Sequence, residues 1–337
     1  MIGRTRSVVL TGVVGHVIEV EAHLAPSLPA FTLVGLPDAS LNESRDRVRA
    51  AVTSSGLSWP QRRITVNLSP ASLPKSGSVT DLAIAVAVLA GAGLIDVRQA
   101  EGAVHLGELG LDGQLRPVRG ILPSVAAAVE SGATRVVVAE GNADEARLVP
   151  GAEVIAVSSL AELAGVYGNE DARPAPHNIF SRVASTPRRV ESVADLSDVR
   201  GQPEARWALE VAAAGAHHLL MVGPPGAGKT MLASRLTGIL PDLIPADALA
   251  ATSIHSISGT LSPEDGLLVR PPFEAPHHSA SVAAIVGGGS RIARPGAISR
   301  AHAGVLFLDE ATNRKNTRRT LVILLYQRQH LRCGPAC

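Results

Sequence analysis

Only two cysteines occur in 337 residues, Cys333 and Cys337, and both lie at the C-terminal end, so no disulfide framework holds the chain together. Aromatic residues make up 2% of the chain, which leaves few platforms for stacking nucleic-acid bases. A net charge of +1 gives no global attraction to polyanions or membranes, so any such binding must come from local patches. No apolar run reaches the ~18 residues of a spanning helix; Leu82–Ile95 is shorter and reads as an Ala/Val-rich core helix. The N-terminus has no basic stretch followed by a continuous apolar one, so a signal peptide and a membrane association are not expected, and a cytoplasmic protein is. What remains is 46% hydrophobic residues, enough for two domains with their own cores.

The most informative stretch is Gly223-Pro224-Pro225-Gly226-Ala227-Gly228-Lys229-Thr230, after the apolar run His218–Val222 and before Met231–Leu236. This is the strand, glycine loop and helix order of the G-x-x-x-x-G-K-[ST] pattern (Walker A). Its glycines let backbone amides curl around phosphates, and the helix start adds positive potential. Lys229 would reach the outer phosphates of ATP, and Thr230 would hold Mg²⁺ through its hydroxyl. Val305-Leu306-Phe307-Leu308 runs into Asp309-Glu310, some 80 residues after Thr230. A buried parallel strand would deliver these acids where open α/β sheets bind ligands. Asp309 is expected to hold Mg²⁺ and Glu310 to polarise the attacking water.

Before the loop, residues 1–168 alternate strand and helix patterns. Strands are expected at Ser7–Thr11, Val17–Ala22, Phe31–Gly35, Arg63–Leu68, Arg135–Ala139 and Glu153–Val157, with a hairpin of Val104–Leu109 and Gln114–Val118 about Asp112-Gly113. Helices are expected from Ser40 to Ser54 and at Leu82–Ala92, Ile121–Ser131, Ala143–Leu148 and Ala161–Val166. Leu73-Pro74-Lys75-Ser76-Gly77 and Gly107-Glu108-Leu109…Gly113…Pro117-Val118-Arg119-Gly120 resemble the proteolytic domain of Lon-type proteases over most of residues 15–160. That resemblance implies an α+β fold. It places Val79 where the family has its serine and Leu122 where it has its lysine. Of the chain's three lysines only Lys75 lies in this domain. It adjoins Ser76 in sequence, where side chains diverge; Ser78 is the remaining candidate partner. A protease fold without protease chemistry is expected.

Residues 169–192, with Pro174, Pro176 and Pro187, read as a linker. Val193–Gln202 then leads into a helix, Pro203–Ala214. The Asp198-Val199-Arg200-Gly201-Gln202 box resembles the adenine-flanking box of AAA+ ATPases, which implies that Val199 to Gln202 pass beside the base. Pro272-Phe273-Glu274-Ala275-Pro276-His277-His278-Ser279, Gly287-Gly288-Gly289 and Arg294-Pro295-Gly296-Ala297-Ile298-Ser299 complete a resemblance to the magnesium-chelatase-like AAA+ family of the YifB/ComM type over residues 1–311. The resemblance places His277 and His278 in an insert facing a central pore, in contact with substrate or a neighbour; a structured turn after Pro276 is the alternative. Glu274, Ala297 and Arg300 depart from the family pattern, which has arginine, glutamate and an apolar residue there.

Residues 312–337 hold six Lys/Arg and no Asp/Glu, and lack the sensor strand, arginine finger and lid that the family implies. The segment is expected to be out of frame relative to an ancestral gene, with an evolved basic tail that binds nucleic acid as the alternative. The fold expected is therefore α/β: a Lon-protease-like α+β domain (1–168), a linker (169–192), an incomplete P-loop NTPase parallel-sheet core (193–311) and a basic tail (312–337). The resemblance implies ATP and Mg²⁺ as cofactors, DNA as a partner and a homo-hexamer among full-length members, with hydrolysis impaired here. A magnesium chelatase subunit and a non-catalytic nucleotide-binding remnant are the alternatives.

Overall fold

The computed structural model describes residues 1–36, 38, 41, 43–75, 77–172, 195–224, 226–261, 266–288, 294–314 and 317–324. Ser40, Ser76, Pro225, Gly289, most of the expected linker and residues 325–337 lie outside them. The chain divides into two compact units, Met1–Ala184 and Ser185–Cys337.

In the first unit a seven-stranded mixed sheet has the order β3-β4-β2-β1-β5-β8-β9. β1 (Ile2–Thr11) and β2 (Val14–Ala25) form a long antiparallel pair that turns at Gly12, where φ is +63°. β3 (Ala30–Val34), helix α1 (Ser44–Ser54) and β4 (Arg63–Ser69) follow, with β4 pairing antiparallel to β2 and parallel to β3. Helix α2 (Asp81–Ala92) is buried from Asp81 to Gly91, which is why its apolar residues show no polar stripe. It lies so close to β1 that a Cβ on Gly3 would fall 2.1 Å from the Ala87 carbonyl oxygen. Gly93, at φ +74°, ends it in the left-handed conformation expected of a C-terminal glycine.

A short helix, α3 (Val97–Glu101), leads into β5 (Ala103–Leu106), which pairs parallel with β1 and with β8 (Arg135–Ala139). Here the expected hairpin is corrected. All four residues of β5 are buried, so the strand joins the central sheet. Only β6 (Glu108–Leu109) and β7 (Leu115–Arg116) pair about the Asp112-Gly113 turn. Helix α4 (Ile121–Glu130), a shorter α5 (Ala143–Ala146), β9 (Glu153–Val157) and α6 (Leu160–Val166) complete the unit.

In the second unit α7 (Pro203–Gly215) precedes β10 (Leu219–Gly223), and α8 (Lys229–Ser234) and α9 (Leu236–Ile239) follow the glycine loop. After α10 (Pro245–Ser258) come β11 (Phe273–Glu274), α11 (Val282–Val286), the pair β12 (Gly287–Gly288) and β13 (Arg294–Pro295), and α12 (Ala297–Arg300). β14 (Val305–Arg314) and β15 (Thr317–Leu324) finish the described chain.

Residues 193–311 supply the parallel strands expected, and the sheet of this unit also takes in an antiparallel strand from the expected tail. Its order is β10-β15-β14-β11, with β14 parallel to β11 and β15 antiparallel to both of its neighbours. β10, β14 and β11 therefore run the same way, and β15 is inserted against them. A hairpin from β14 reaches that slot without a crossover, and a crossover is what a parallel strand requires. β10 is left at the edge, and Leu220 and Val222 are 54% and 56% exposed. Leu219, Val322 and Phe307 form one row across the sheet and join a core with Leu209, Leu232 and Leu236.

Candidate functional site

The loop after β10 turns through two glycines in left-handed conformations, Gly226 and Gly228, both at φ +81°. A non-glycine residue would cost ~1–2 kcal/mol at each. Gly228 opens α8, and Lys229 is that helix's first residue. The Lys229 ammonium donates to the carbonyl oxygens of Gly223 (3.0 Å) and Pro224 (3.1 Å), so the side chain is folded back over its own loop. Thr230 is exposed beside it. Gly223 and Ala227 approach closely, since a Cβ on Gly223 would lie 3.4 Å from the Ala227 Cβ.

Gln202, itself at φ +51°, reaches the same loop: a Cβ on Gly228 would meet its Nε2 at 3.5 Å. Val199 is 2% exposed and packs into the core of the unit, so this part of the expected base-flanking box is held from inside. Arg235, a residue the sequence did not single out, ties the box to the loop's helix. Its Nε donates to the Asp195 carbonyl at 3.0 Å, and its guanidinium lies 3.8 Å from Asp198. Asp195 accepts from the Ser197 backbone N–H, which holds its carboxyl below the usual carboxylate range.

Asp309 and Glu310 sit on β14 at a bulge. Leu308 pairs with Leu321 and Thr312 with Arg319, so three residues of β14 (Asp309–Ala311) face one, Thr320, of β15. Bulges of this kind re-aim side chains near ligand sites. Thr320 in turn pairs with Met221, two residues before Gly223. The carboxylate pair thus lies at the loop end of the sheet, two strand spacings, or about 10 Å, from β10. Asp309 is half-exposed; the Glu310 side chain lies outside the described residues.

Against this geometry, the model of magnesium chelatase subunit ChlI matches residues 195–325, and a second model, also of the ChlI subunit of Mg-chelatase, matches residues 20–142. An uncharacterised protein of Mycobacterium tuberculosis is 54% identical over 309 residues, covering 92% of this chain and 60% of the relative. YifB of Escherichia coli is 44% identical over 301 residues (89% of this chain, 57% of YifB), and the competence protein ComM of Haemophilus influenzae 42% over 299 (89% and 58%). The chain belongs to the magnesium-chelatase-like family of the YifB/ComM type. It spans under two thirds of the length of these relatives.

In this YifB/ComM-type chain the first unit directs its candidate nucleophile and base to different partners. The Lys75 ammonium, 1% exposed, donates to the Pro70 carbonyl, and burial lowers its pKa. The Ser78 hydroxyl donates to Glu108. Val79 is half-buried, Leu122 is fully buried, and Ser76 is outside the described residues. Close by, Asp81 is fully buried and held by Ser44 and by the Arg47 guanidinium, whose Nε lies 2.7 Å from Oδ2. Among the described residues, no helix is long and apolar enough to cross a membrane.

In the second unit, two departures from the family pattern meet. Arg300 donates to Glu274 at 2.9 Å, both partly buried. A glutamate in the place of an arginine is matched by an arginine in the place of an apolar residue.

Proposed function

We propose that this chain binds Mg-ATP at the loop Gly223–Thr230 and represents the nucleotide-binding part of a DNA-associated ATPase of the competence type. The observation that carries the reading is the folded-back Lys229: its ammonium donates to the loop carbonyls of Gly223 and Pro224, partners that phosphate oxygens would replace with charge-assisted bonds. The left-handed glycines leave room for the exchange, since a Cβ at Gly226 would meet nothing within 4 Å. Gln202 and the box tied by Arg235 flank the base. Thr230 and Asp309 would hold Mg²⁺, and Glu310 would orient the water. The ion, when bound, neutralises charge on the outer phosphates.

Hydrolysis by this chain alone is slow on this reading, because residues 312–337 hold neither the arginine finger nor the lid that the resemblance implies, and such a finger is worth ~10³–10⁵ in rate. We read the first unit as a Lon-like fold without proteolytic activity, and the resemblance implies a homo-hexamer for full-length members. The names of the two matching family models support a second reading, a chelatase subunit that couples ATP to Mg²⁺ insertion into a porphyrin. Turnover measured with single-stranded DNA and with porphyrin separates the two. Stimulation by DNA supports the competence-type reading, porphyrin-dependent turnover overturns it, and ATP binding with no turnover under either condition identifies a nucleotide-binding remnant.

A further inference from the structure

Helix α7 holds a cation for which the fold supplies no partner. Arg206 is half-buried, and its Nε is closed off from solvent with no hydrogen-bond partner among the described residues. A buried donor left unpaired is costly, so folded chains keep few of them. Arg135 in the first unit also has an unpaired Nε, but its Nη1 is bonded to Gln99 and its guanidinium faces Glu153. Among the described residues Arg206 has no such relief.

The periodicity of α7 places the group. Residues 202, 206, 209 and 213 are spaced i, i+4, i+7 and i+11 and share one face. Leu209 and Ala213 on that face are 1% and 9% exposed and join the core with Leu232 of α8 and Leu236 of α9. Gln202, at its start, reaches Gly228. The Arg206 backbone N–H donates to the Gln202 carbonyl at 3.0 Å, so a single turn separates the two residues. Long helical side chains lean towards the N-terminus of their helix, which here is the Gln202 end beside the glycine loop. Trp207, one residue on, lies on another face and is 68% exposed.

The turn from β10 into α8 is thus flanked by two cations, Lys229 on the loop and Arg206 on the α7 side. Arg235 is the third nearby, but it is taken by the Asp195 and Met231 carbonyls and by Asp198. A permanently charged guanidinium with forked donors matches a phosphate group, whereas a nucleobase is neutral. In the reading above, Lys229 and the ion take the outer phosphates, which leaves the innermost one, between the base-flanking box and the loop. We infer that Arg206 is a contact for the α-phosphate of the bound nucleotide. The inference rests on the nucleotide-binding reading and adds to it a residue outside both the loop and the box.

The test is calorimetric titration of the full chain with ATP and with ADP, in the presence of Mg²⁺, for the parent, R206M and R206K. Methionine keeps an unbranched stem and removes the donors. R206M is expected to bind both nucleotides about tenfold more weakly or worse, the loss of a hydrogen bond to a charged group. The two losses should be equal, because ATP and ADP share the α-phosphate. R206M should also flatten the dependence of affinity on salt, which loss of a contact to the neutral base would not do. R206K, which keeps the charge without the fork, should recover part of the affinity. Thermal unfolding without nucleotide supplies the readout that a structural role would move: R206M loses no bond of the fold, so its midpoint is expected to match or exceed that of the parent. Loss confined to ATP, an unchanged salt dependence, no recovery by R206K, or a lowered nucleotide-free midpoint overturns the inference. If the parent and R206M bind ATP equally, this contact is wrong and the nucleotide site stands; if the parent binds neither nucleotide, the site itself is refuted and the contact with it.

Discussion

Acidification should unfold the first unit through His105. This residue is fully buried, and its two ring nitrogens lie 2.7 Å from Thr5 Oγ1 and 2.8 Å from the Tyr167 hydroxyl. Thr5 donates its single proton to the Ala100 carbonyl at 2.8 Å, so it accepts from Nδ1–H. Nε2 is then the acceptor for the Tyr167 O–H, and burial pushes that phenol up to about 12, which keeps it a donor. Every bond in the chain requires a neutral imidazole. Burial pushes its pKa down from 6.5 to about 3, with Arg135 and Arg6 adding to the effect. Between those values the unfolded chain binds a proton that the folded one does not, so stability is complete above about pH 6.5 and falls as the pH drops towards 3. At ~1.36 kcal/mol per unit, the loss at about pH 4.5 is ~3 kcal/mol, a large share of a domain's stability. Urea unfolding followed by Trp59 fluorescence, in a Trp207→Phe background so that only the first unit reports, measures it. Parent and His105→Gln are compared at pH 7 and about 4.5. His105→Gln is expected to be less stable at pH 7 but to lose about 3 kcal/mol less on acidification. Equal acid losses in the two proteins would refute the assignment.

Two further pairs of substitutions probe the two units separately. Arg47→Ala strands the Asp81 carboxylate, which is fully buried and whose pKa burial already raises, and ~3–5 kcal/mol of first-unit stability is expected to go; adding Asp81→Asn should return part of it in the same urea titration. In the loop, Gly226→Ala and Gly228→Ala both force a side chain to φ +81°, but only the second brings a Cβ within 3.2 Å of Met231 Cε and 3.5 Å of Gln202 Nε2. Both are expected to weaken ATP binding, Gly228→Ala the more, and equal affinities for the two variants would count against Gln202 standing at the loop.

Much of the first unit was legible because its signals are local. Gly93 ends a continuous apolar helix, β1 and β2 share one turn, and β8 and β9 are short β-branched runs of the expected length. The failures lie where distant segments decide. Val104 to Leu109 reads as one strand until the pairing of β5 with β8 draws its first half into the central sheet. β15 looks like a basic tail because nothing in Thr317–Leu324 announces that β10 is waiting for a neighbour. The site shows the same division. Loop, lysine and carboxylates are visible as a pattern, whereas the approach of Gln202 to Gly228 and the hold of Arg235 on Asp195 depend on how α7 and α8 pack. Glu274 and Arg300 were each visible as departures from a family pattern, and only the fold shows that they answer one another.

The claim that matters most is that the loop after β10 is a nucleotide site, and calorimetric titration of the full chain with ATP in the presence of Mg²⁺ tests it most directly. The parent is expected to bind with one-to-one stoichiometry. Lys229→Ala, which removes the cation but leaves Gly226 and Gly228 in place, is expected to lose that binding while keeping its thermal unfolding profile. Heat of binding that is absent from the parent, or that persists undiminished in folded Lys229→Ala, would contradict the account.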